Sequence, residues 1–126
     1  MSAQTPYEEI GGEATVRNLV DRFYDLMELE EHAVGIRSLH PSTLDGSRQK
    51  LFEFLSGWLG GPSLYIEKYG HPRMRARHLP FAIGEAERDA WLACMRQALD
   101  EVLGGHPLVE PLYKTFADFA DHMRNR

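Results

Sequence analysis

Cysteine, cationic side chains and long apolar runs are all scarce in this chain, and each scarcity excludes a class of protein. The one cysteine, Cys94, cannot form a disulfide within the chain, and such cysteine usage is typical of a reducing compartment. Acidic residues outnumber basic ones by 19 to 14, and the net charge of −5 argues against binding to nucleic acid. No apolar run approaches the roughly 18 residues of a membrane span, and the first residues lack the apolar core of a signal peptide. We therefore expect a cytoplasmic protein that binds neither nucleic acid nor membranes.

The composition that remains is that of an ordinary folded domain. Hydrophobic residues make up 43% and charged residues 26% of 126 residues. A chain of this length can bury one substantial core but not two. We expect a single domain over residues 1–126.

Apolar residues recur at helical spacing in four segments, which run over about 13–31, 44–59, 84–103 and 108–124. Glycine and proline separate the segments, and no segment alternates polar and apolar residues over the length of a strand. The sequence therefore predicts an all-α fold. The four stripes consist of Val16, Val20, Phe23, Tyr24 and Met27; of Ser47, Leu51, Phe54, Leu55 and Trp58; of Ile83, Trp91, Cys94, Met95, Ala98 and Val102; and of Leu112, Phe116, Phe119 and Met123.

Between the second and third helices, residues 61–83 show little periodic signal, which predicts a long ordered loop. A loop of this length inside a compact domain is usually functional. It contains Arg73, Arg75, Arg77 and His78. Pro80 disfavours helix at the residue before it, so a short helical turn that carries His78 must end there.

The six histidines raise the question of a metal site. No two of them have the spacing that places two ligands on one helical face, and a single cysteine cannot build a structural zinc site. A site made by the protein alone is therefore not expected. A metal held mostly by a cofactor, which needs only one histidine, stays open.

The arginines around His78 admit two interpretations. They are either a solvated loop or the partners of an anionic group, because the guanidinium fork matches carboxylates. Haem carries two propionates at one edge, and its iron takes an axial histidine. Under that interpretation His78 binds the iron and the arginines neutralise the propionates.

Two polar aromatic side chains lie on the apolar stripes. Tyr24 and Trp91 are either ordinary core residues whose polar tips find local partners or donors that converge on one cavity. His40 opens the loop before the second helix. Together they would form the polar end of an apolar pocket, which is how a protein stabilises a diatomic ligand that acquires negative charge.

Several motifs resemble those of the truncated haemoglobins, the two-over-two globins, and specifically of their group II. These are YEEIGGEATVRNLVDRFYDLM, KLFEFLSGWLGGP, and YGHPRMRARHLPF followed by ERDAWLACM. The glycine pairs are weak signals, whereas the spacing from GHPRMRARHLPF to ERDAW is specific. The resemblance runs essentially end to end and implies a two-over-two helical sandwich around haem b in a bacterial protein.

The resemblance also implies a role for each candidate residue. His78 is the proximal ligand, Tyr24 and Trp91 are the distal tyrosine and the pocket tryptophan, and His40 lines the distal side. Leu51 faces the ligand, with Ser47 one turn before it. Phe54, Leu55 and Phe81 would pack against the porphyrin. The candidate partners of the propionates are Lys50, Arg75 and Arg77.

Two residues depart from the family pattern. His40 replaces the phenylalanine or tyrosine of many relatives, which leaves the distal hydrogen bonds open and allows it to approach the iron itself. Ser47 is small, so the entry of ligands is open at that position.

The implied function is reversible binding of O2, and of NO and CO, at a pentacoordinate iron, with high affinity and slow release. Such a protein suits O2 or NO chemistry, or sensing, rather than bulk transport. Alternatives are a haem peroxidase, a nitric oxide dioxygenase, and a haem-free helical interaction module. Either enzyme would require an external reductase, because the chain has no flavin or nicotinamide motif. We expect a monomer or a weak dimer.

Overall fold

A computed structural model describes residues 4–126, and over this range the chain forms α-helices and no strand. The bounds of the helices and of one 3-10 turn are α1 Pro6–Ile10, α2 Glu13–Leu29, the turn Glu31–Ala33, α3 Val34–Arg37, α4 Asp45–Trp58, α5 Leu64–Tyr69, α6 Met74–His78, α7 Glu85–Leu103 and α8 Val109–His122. The all-α prediction is confirmed. The four predicted helices are α2, α4, α7 and α8, with ends within about two residues of those expected, the usual uncertainty at helix ends.

Two helix pairs make the framework of the fold. Helix α2 packs against α4 and α7, and α7 packs against α8, so that the pair α2–α4 lies over the pair α7–α8. The predicted stripe of α2 is buried along its whole length, and Phe23 is completely inaccessible to solvent. Full burial of a side chain of this size contributes about 1.5–3 kcal/mol to stability. This core fixes the relative positions of the four long helices.

The prediction of a long loop over residues 61–83 is wrong, because two short helices interrupt it. Helix α5 has six residues and α6 has five. Fewer than two turns of helix cannot display a recognisable 3.6-residue period, so the apolar pattern carried no signal. The expected turn that carries His78 is confirmed as α6, which ends two residues before Pro80.

Two glycines, Gly60 and Gly61, allow the chain after α4 to pass close to Thr5 and Tyr7. Gly60 has φ of 96°, a left-handed value that L side chains rarely adopt, and a Cβ there would lie 2.8 Å from the Cβ of Thr5. At Gly61 a Cβ would lie 2.6 Å from the ring of Tyr7. The backbone N–H of Tyr7 donates to the carbonyl of Leu59 at 3.0 Å, which fastens the crossing. The glycines therefore permit a close approach that anchors the C-terminal end of α4.

No helix between residues 4 and 126 is long enough and apolar enough to span a bilayer.

Candidate functional site

A cavity of about 430 Å³ lies between α2, α4, α6, α7 and α8. Its volume falls within the range of ~300–1,000 Å³ that is usual for sites of small molecules and cofactors. Every residue of the predicted site except Arg75 lines it, and most of the remaining wall is apolar. The lining residues are Tyr24, Ile36, Leu39, His40, Pro41, Ser47, Lys50, Leu51, Phe54, Leu55, Trp58, Tyr65, Met74, Arg77, His78, Phe81, Ile83, Glu87, Arg88, Trp91, Phe116, Phe119, Ala120 and Met123.

The stripe of α4 lines this cavity as well as packing on the core. Ser47, Leu51, Phe54, Leu55 and Trp58 all line it, at the i, i+4, i+7, i+8 and i+11 positions of one helical face. The period therefore identified the face correctly. It could not distinguish a wall that packs on other side chains from a wall that packs on a cofactor.

Helix α6 divides its side chains between the cavity and the solvent. Met74, Arg77 and His78 line the cavity, as expected for positions i, i+3 and i+4 of one helical face. Arg75 is exposed and does not line the cavity. The structure thus brings Arg77 to the cavity together with Lys50, but not Arg75.

His78 presents one nitrogen to the cavity in a defined tautomer. Its Nδ1 lies 2.6 Å from the carbonyl oxygen of Met74. Because a carbonyl oxygen only accepts, Nδ1 must carry the hydrogen and Nε2 keeps its lone pair. Metal-binding histidines commonly fix their tautomer by this kind of hydrogen bond to the backbone.

The segment after His78 is fastened by Asn125, which the sequence analysis did not identify. The Nδ2 of Asn125 donates to the carbonyl oxygens of Phe81 at 2.8 Å and of His78 at 3.3 Å. Its Oδ1 accepts from the backbone N–H of Ile83 at 3.0 Å. A residue 47 positions further along the chain therefore holds the end of α6. No local pattern could have revealed this contact.

Tyr24 and Trp91 bring two polar tips to the cavity. Phe23 packs against both rings, with centroid distances of 4.9 Å to Tyr24 and 5.1 Å to Trp91. Within residues 4–126 neither the Tyr24 hydroxyl nor the Trp91 N–H has a hydrogen-bond partner in the protein, although both residues line the cavity. Burial raises the pKa of the Tyr24 phenol, which therefore stays a neutral donor at physiological pH.

The Nε2 nitrogen of neutral His40 can accept a hydrogen bond but cannot donate one. Its Nδ1 lies 2.8 Å from the carbonyl oxygen of Ile36, so Nδ1 carries the hydrogen and Nε2 has a free lone pair. Burial lowers the pKa of His40, the hydrogen bond to Ile36 opposes this shift, and the positive charge of Arg37 adds to it. Its ring is 5.9 Å from that of Tyr24, measured between centroids. The neutral form therefore predominates near pH 7.

These residues fit the chemistry of haem. The porphyrin requires broad apolar walls, which α4 and α8 provide with Phe54, Phe116 and Phe119. The iron requires one imidazole nitrogen with a free lone pair, which His78 provides. The propionates require cations at the mouth of the cavity, where Lys50 and Arg77 are exposed.

Several lining residues were not predicted as site residues. Phe116, Phe119 and Met123 were placed on the apolar stripe of the last helix, whose pattern gives no sign of what an apolar side chain packs against. Tyr65 and Met74 lie in the segment that was predicted to be a loop. Only the distance between chain segments in the folded protein identifies them.

Comparison with known proteins gives a consistent result. The family model of the bacterial-like globins matches residues 5–125. The chain is 42% identical to the group 2 truncated hemoglobin YjbI of Bacillus subtilis over 125 residues, which is 99% of this chain and 92% of the relative.

Solved structures agree in fold as well as in sequence. The group II 2-on-2 hemoglobin of Agrobacterium tumefaciens is 46% identical with a TM-score of 0.95, over 99% of this chain and 97% of that one. A truncated oxygen-avid haemoglobin from Bacillus subtilis is 41% identical with a TM-score of 0.87, over 97% of this chain and all of the other. This chain belongs to the truncated haemoglobins, the two-over-two globins, in their group II.

Proposed function

We propose that this protein binds haem b through His78 and retains O2 at the opposite side of the iron with high affinity and slow release. Membership of the globin family implies haem-based binding of small gases such as O2. When bound, the haem would supply an iron that can take a diatomic ligand. The residues of the cavity determine how firmly that ligand is retained.

The observation that carries the proposal is the free lone pair of His78. Its Nδ1–H is committed to the carbonyl of Met74, so Nε2 remains for the iron. Asn125 fastens the backbone that follows, which limits the movement of the imidazole away from the cavity.

The distal residues account for slow release. Tyr24 and Trp91 each have a donor at the cavity that finds no protein partner among residues 4–126, and both rings pack against Phe23. A hydrogen bond to a ligand that acquires negative charge contributes about 1.5–3 kcal/mol, which corresponds to a roughly 10- to 100-fold slower dissociation for each donor. CO acquires little charge and would gain much less. The oxygen avidity in the description of the Bacillus subtilis relative agrees with this reasoning.

Slow release suits a sensor, a scavenger or an enzyme better than a carrier. A retained O2 can react with NO to give nitrate, and the same donors would assist turnover of peroxide. Each of these cycles needs electrons from a separate reductase, since the sequence contains no flavin or nicotinamide motif. A haem-free interaction module would leave the cavity and its two unpartnered donors without a purpose.

An absorption spectrum of the haemin-reconstituted protein tests the proposal. We expect an intense Soret band and, after dithionite, a five-coordinate ferrous spectrum. His78→Ala should disrupt both, whereas His122→Ala, a change at an exposed residue at the end of α8, should leave them unaltered. A six-coordinate ferrous spectrum would instead indicate ligation by His40 or Tyr24. The absence of a Soret band in the unmodified protein would refute the proposal.

A further inference from the structure

The basic residues of this protein fall into two groups. Over residues 4–126, Arg22, Arg37, Arg48, Lys68, Arg88, Arg96 and Arg124 each form an ion pair with a carboxylate. Seven form none within the same range: Lys50, Arg73, Arg75 and Arg77, all four exposed, and Arg17, Lys114 and Arg126 elsewhere in the chain. Four of these seven unpaired cations therefore lie around α6 and the mouth of the cavity.

This concentration stands out against the charge of the whole chain. The net charge is −5, yet residues 68–84 contain four basic residues and no acidic one. The acidic residues that flank this segment are Glu67 and Glu85, and Glu85 already pairs with Arg124 at 3.8 Å. A local positive field of this kind attracts an acidic surface and speeds association with it.

Haem would neutralise only part of this field. Lys50 and Arg77 line the cavity and are in position for two propionates. Arg73 and Arg75 do not line the cavity. Their charges therefore remain available to a partner outside the protein.

An apolar surface adjoins these two arginines. Leu79 is 53% exposed and does not line the cavity, so bound haem leaves it accessible. Phe81, two residues later, is 40% exposed at the mouth. An apolar patch beside cations is the arrangement expected of a small transient interface, such as those of redox partners.

We propose that Arg73 and Arg75, together with Leu79, form the docking surface for an acidic one-electron carrier protein that reduces the haem iron. The proposal rests on the proposed function, because it requires a haem in the cavity. The carrier gives one electron and is oxidised by one electron, while the ferric iron is reduced to ferrous. No bond is formed or broken and no proton is transferred. The electron enters beside α6, the helix that carries His78.

The test is the reduction of the ferric haem-loaded protein by a reduced acidic [2Fe–2S] ferredoxin, followed anaerobically by stopped flow. We expect the second-order rate constant to fall as salt is added. At low ionic strength Arg75→Glu and Arg73→Glu should each lower it about tenfold, and the neutral Arg75→Gln should lower it by a smaller factor. Lys114→Glu is the matched control, because Lys114 is an exposed lysine on α8 that neither lines the cavity nor forms an ion pair within residues 4–126. It should change the rate less than about twofold.

Two further measurements separate docking from other effects. Reduction by dithionite, which needs no docking surface, should proceed equally in all variants. Calorimetric titration with oxidised ferredoxin should show weaker binding to Arg75→Glu than to Lys114→Glu.

Three results would overturn the proposal or its basis. If both arginine variants are reduced at the native rate while their Soret bands are normal, the docking surface is refuted and the haem function stands. If the unmodified protein gives no Soret band, the proposed function itself fails. If Arg75→Glu abolishes co-sedimentation with phosphatidylserine vesicles but leaves reduction by ferredoxin unchanged, the patch binds lipid and the proposal is wrong.

Discussion

Removing the side chain of Asn125 should accelerate the loss of haem. This side chain makes three hydrogen bonds to the segment that follows α6, two as a donor and one as an acceptor. The backbone N–H groups of Asn125 and Arg126 both donate to the carbonyl of Ile83, at 2.9 and 3.2 Å, and these bonds survive any substitution of the side chain. Asn125→Ala therefore loosens the segment without releasing the end of the chain.

The size of the effect follows from the three bonds that are lost. A hydrogen bond within a protein contributes about 0.5–1.5 kcal/mol net, and the low end applies where water can replace the partner. Phe81 is exposed, so its carbonyl can be partly solvated in the variant. A total of about 1.5–3 kcal/mol corresponds to a roughly 10- to 150-fold faster dissociation of haem.

The assay is the transfer of haem from the ferric protein to an excess of apomyoglobin. Asn125→Asp separates the two halves of the contact, because it keeps the acceptor for Ile83 but places a carboxylate oxygen against the carbonyls of His78 and Phe81. We expect it to lose haem at least as fast as Asn125→Ala. Asn18→Ala, at an exposed asparagine of α2 without a side-chain hydrogen bond among residues 4–126, should behave as the unmodified protein. If Asn125→Ala releases haem within twofold of the native rate, the reasoning is refuted.

Four other substitutions test the distal pocket and the fold. Trp91→Phe should raise the O2 dissociation rate about 10- to 100-fold in flash photolysis, and an unchanged rate would contradict its role as a donor. Burial lowers the pKa of His40 in the folded protein, so the unfolded chain binds this proton more readily than the folded one. The stability that neutral His40 contributes is therefore complete above the ordinary histidine pKa and is lost as the pH falls toward the lower pKa of the folded state. The free energy of unfolding in urea should therefore fall less between pH 7 and 5 in His40→Phe than in the unmodified protein. An equal fall in both proteins would contradict a lowered pKa of His40. Gly60→Ala should cost about 1–3 kcal/mol, because it meets Thr5 at a left-handed φ. Gly46→Ala, in an open position of α4, should stabilise by about 0.5–1 kcal/mol, and equal melting temperatures for the two would refute the argument.

Periodicity was sufficient for the long helices and insufficient for the short ones. Helix α2 has 17 residues, so its stripe repeats often enough to identify both the helix and its buried face. Helices α5 and α6 are each shorter than two turns, and nothing repeats in them. Helix α5 is positioned by packing against α4, and α6 begins after the left-handed backbone of Arg73, at φ of 47°.

The site residues were predicted from residue types, whereas the geometry around them depends on tertiary contacts. His78, Tyr24 and Trp91 have distinctive chemistry, so their sequence positions were informative. The tautomer of His40 depends on the carbonyl of Ile36, four residues earlier, in a segment where the sequence analysis predicted no helix. The role of Asn125 depends on a contact across more than 40 residues, which no local pattern encodes.

The alternating arginines illustrate how a short helix changes the meaning of a sequence pattern. In an extended loop, Arg75 and Arg77 would point to the same side, and both would be expected to reach the propionates. In a helix, each residue turns by about 100°, so two residues apart they point about 160° away from one another. Arg77 therefore lines the cavity and Arg75 faces the solvent. It follows that Arg77→Glu should mainly accelerate the loss of haem, whereas Arg75→Glu should mainly slow reduction by ferredoxin. If both substitutions impair the same step to the same extent, the two arginines act together. In that case it has no functional consequence that α6 directs Arg77 to the cavity and Arg75 to the solvent.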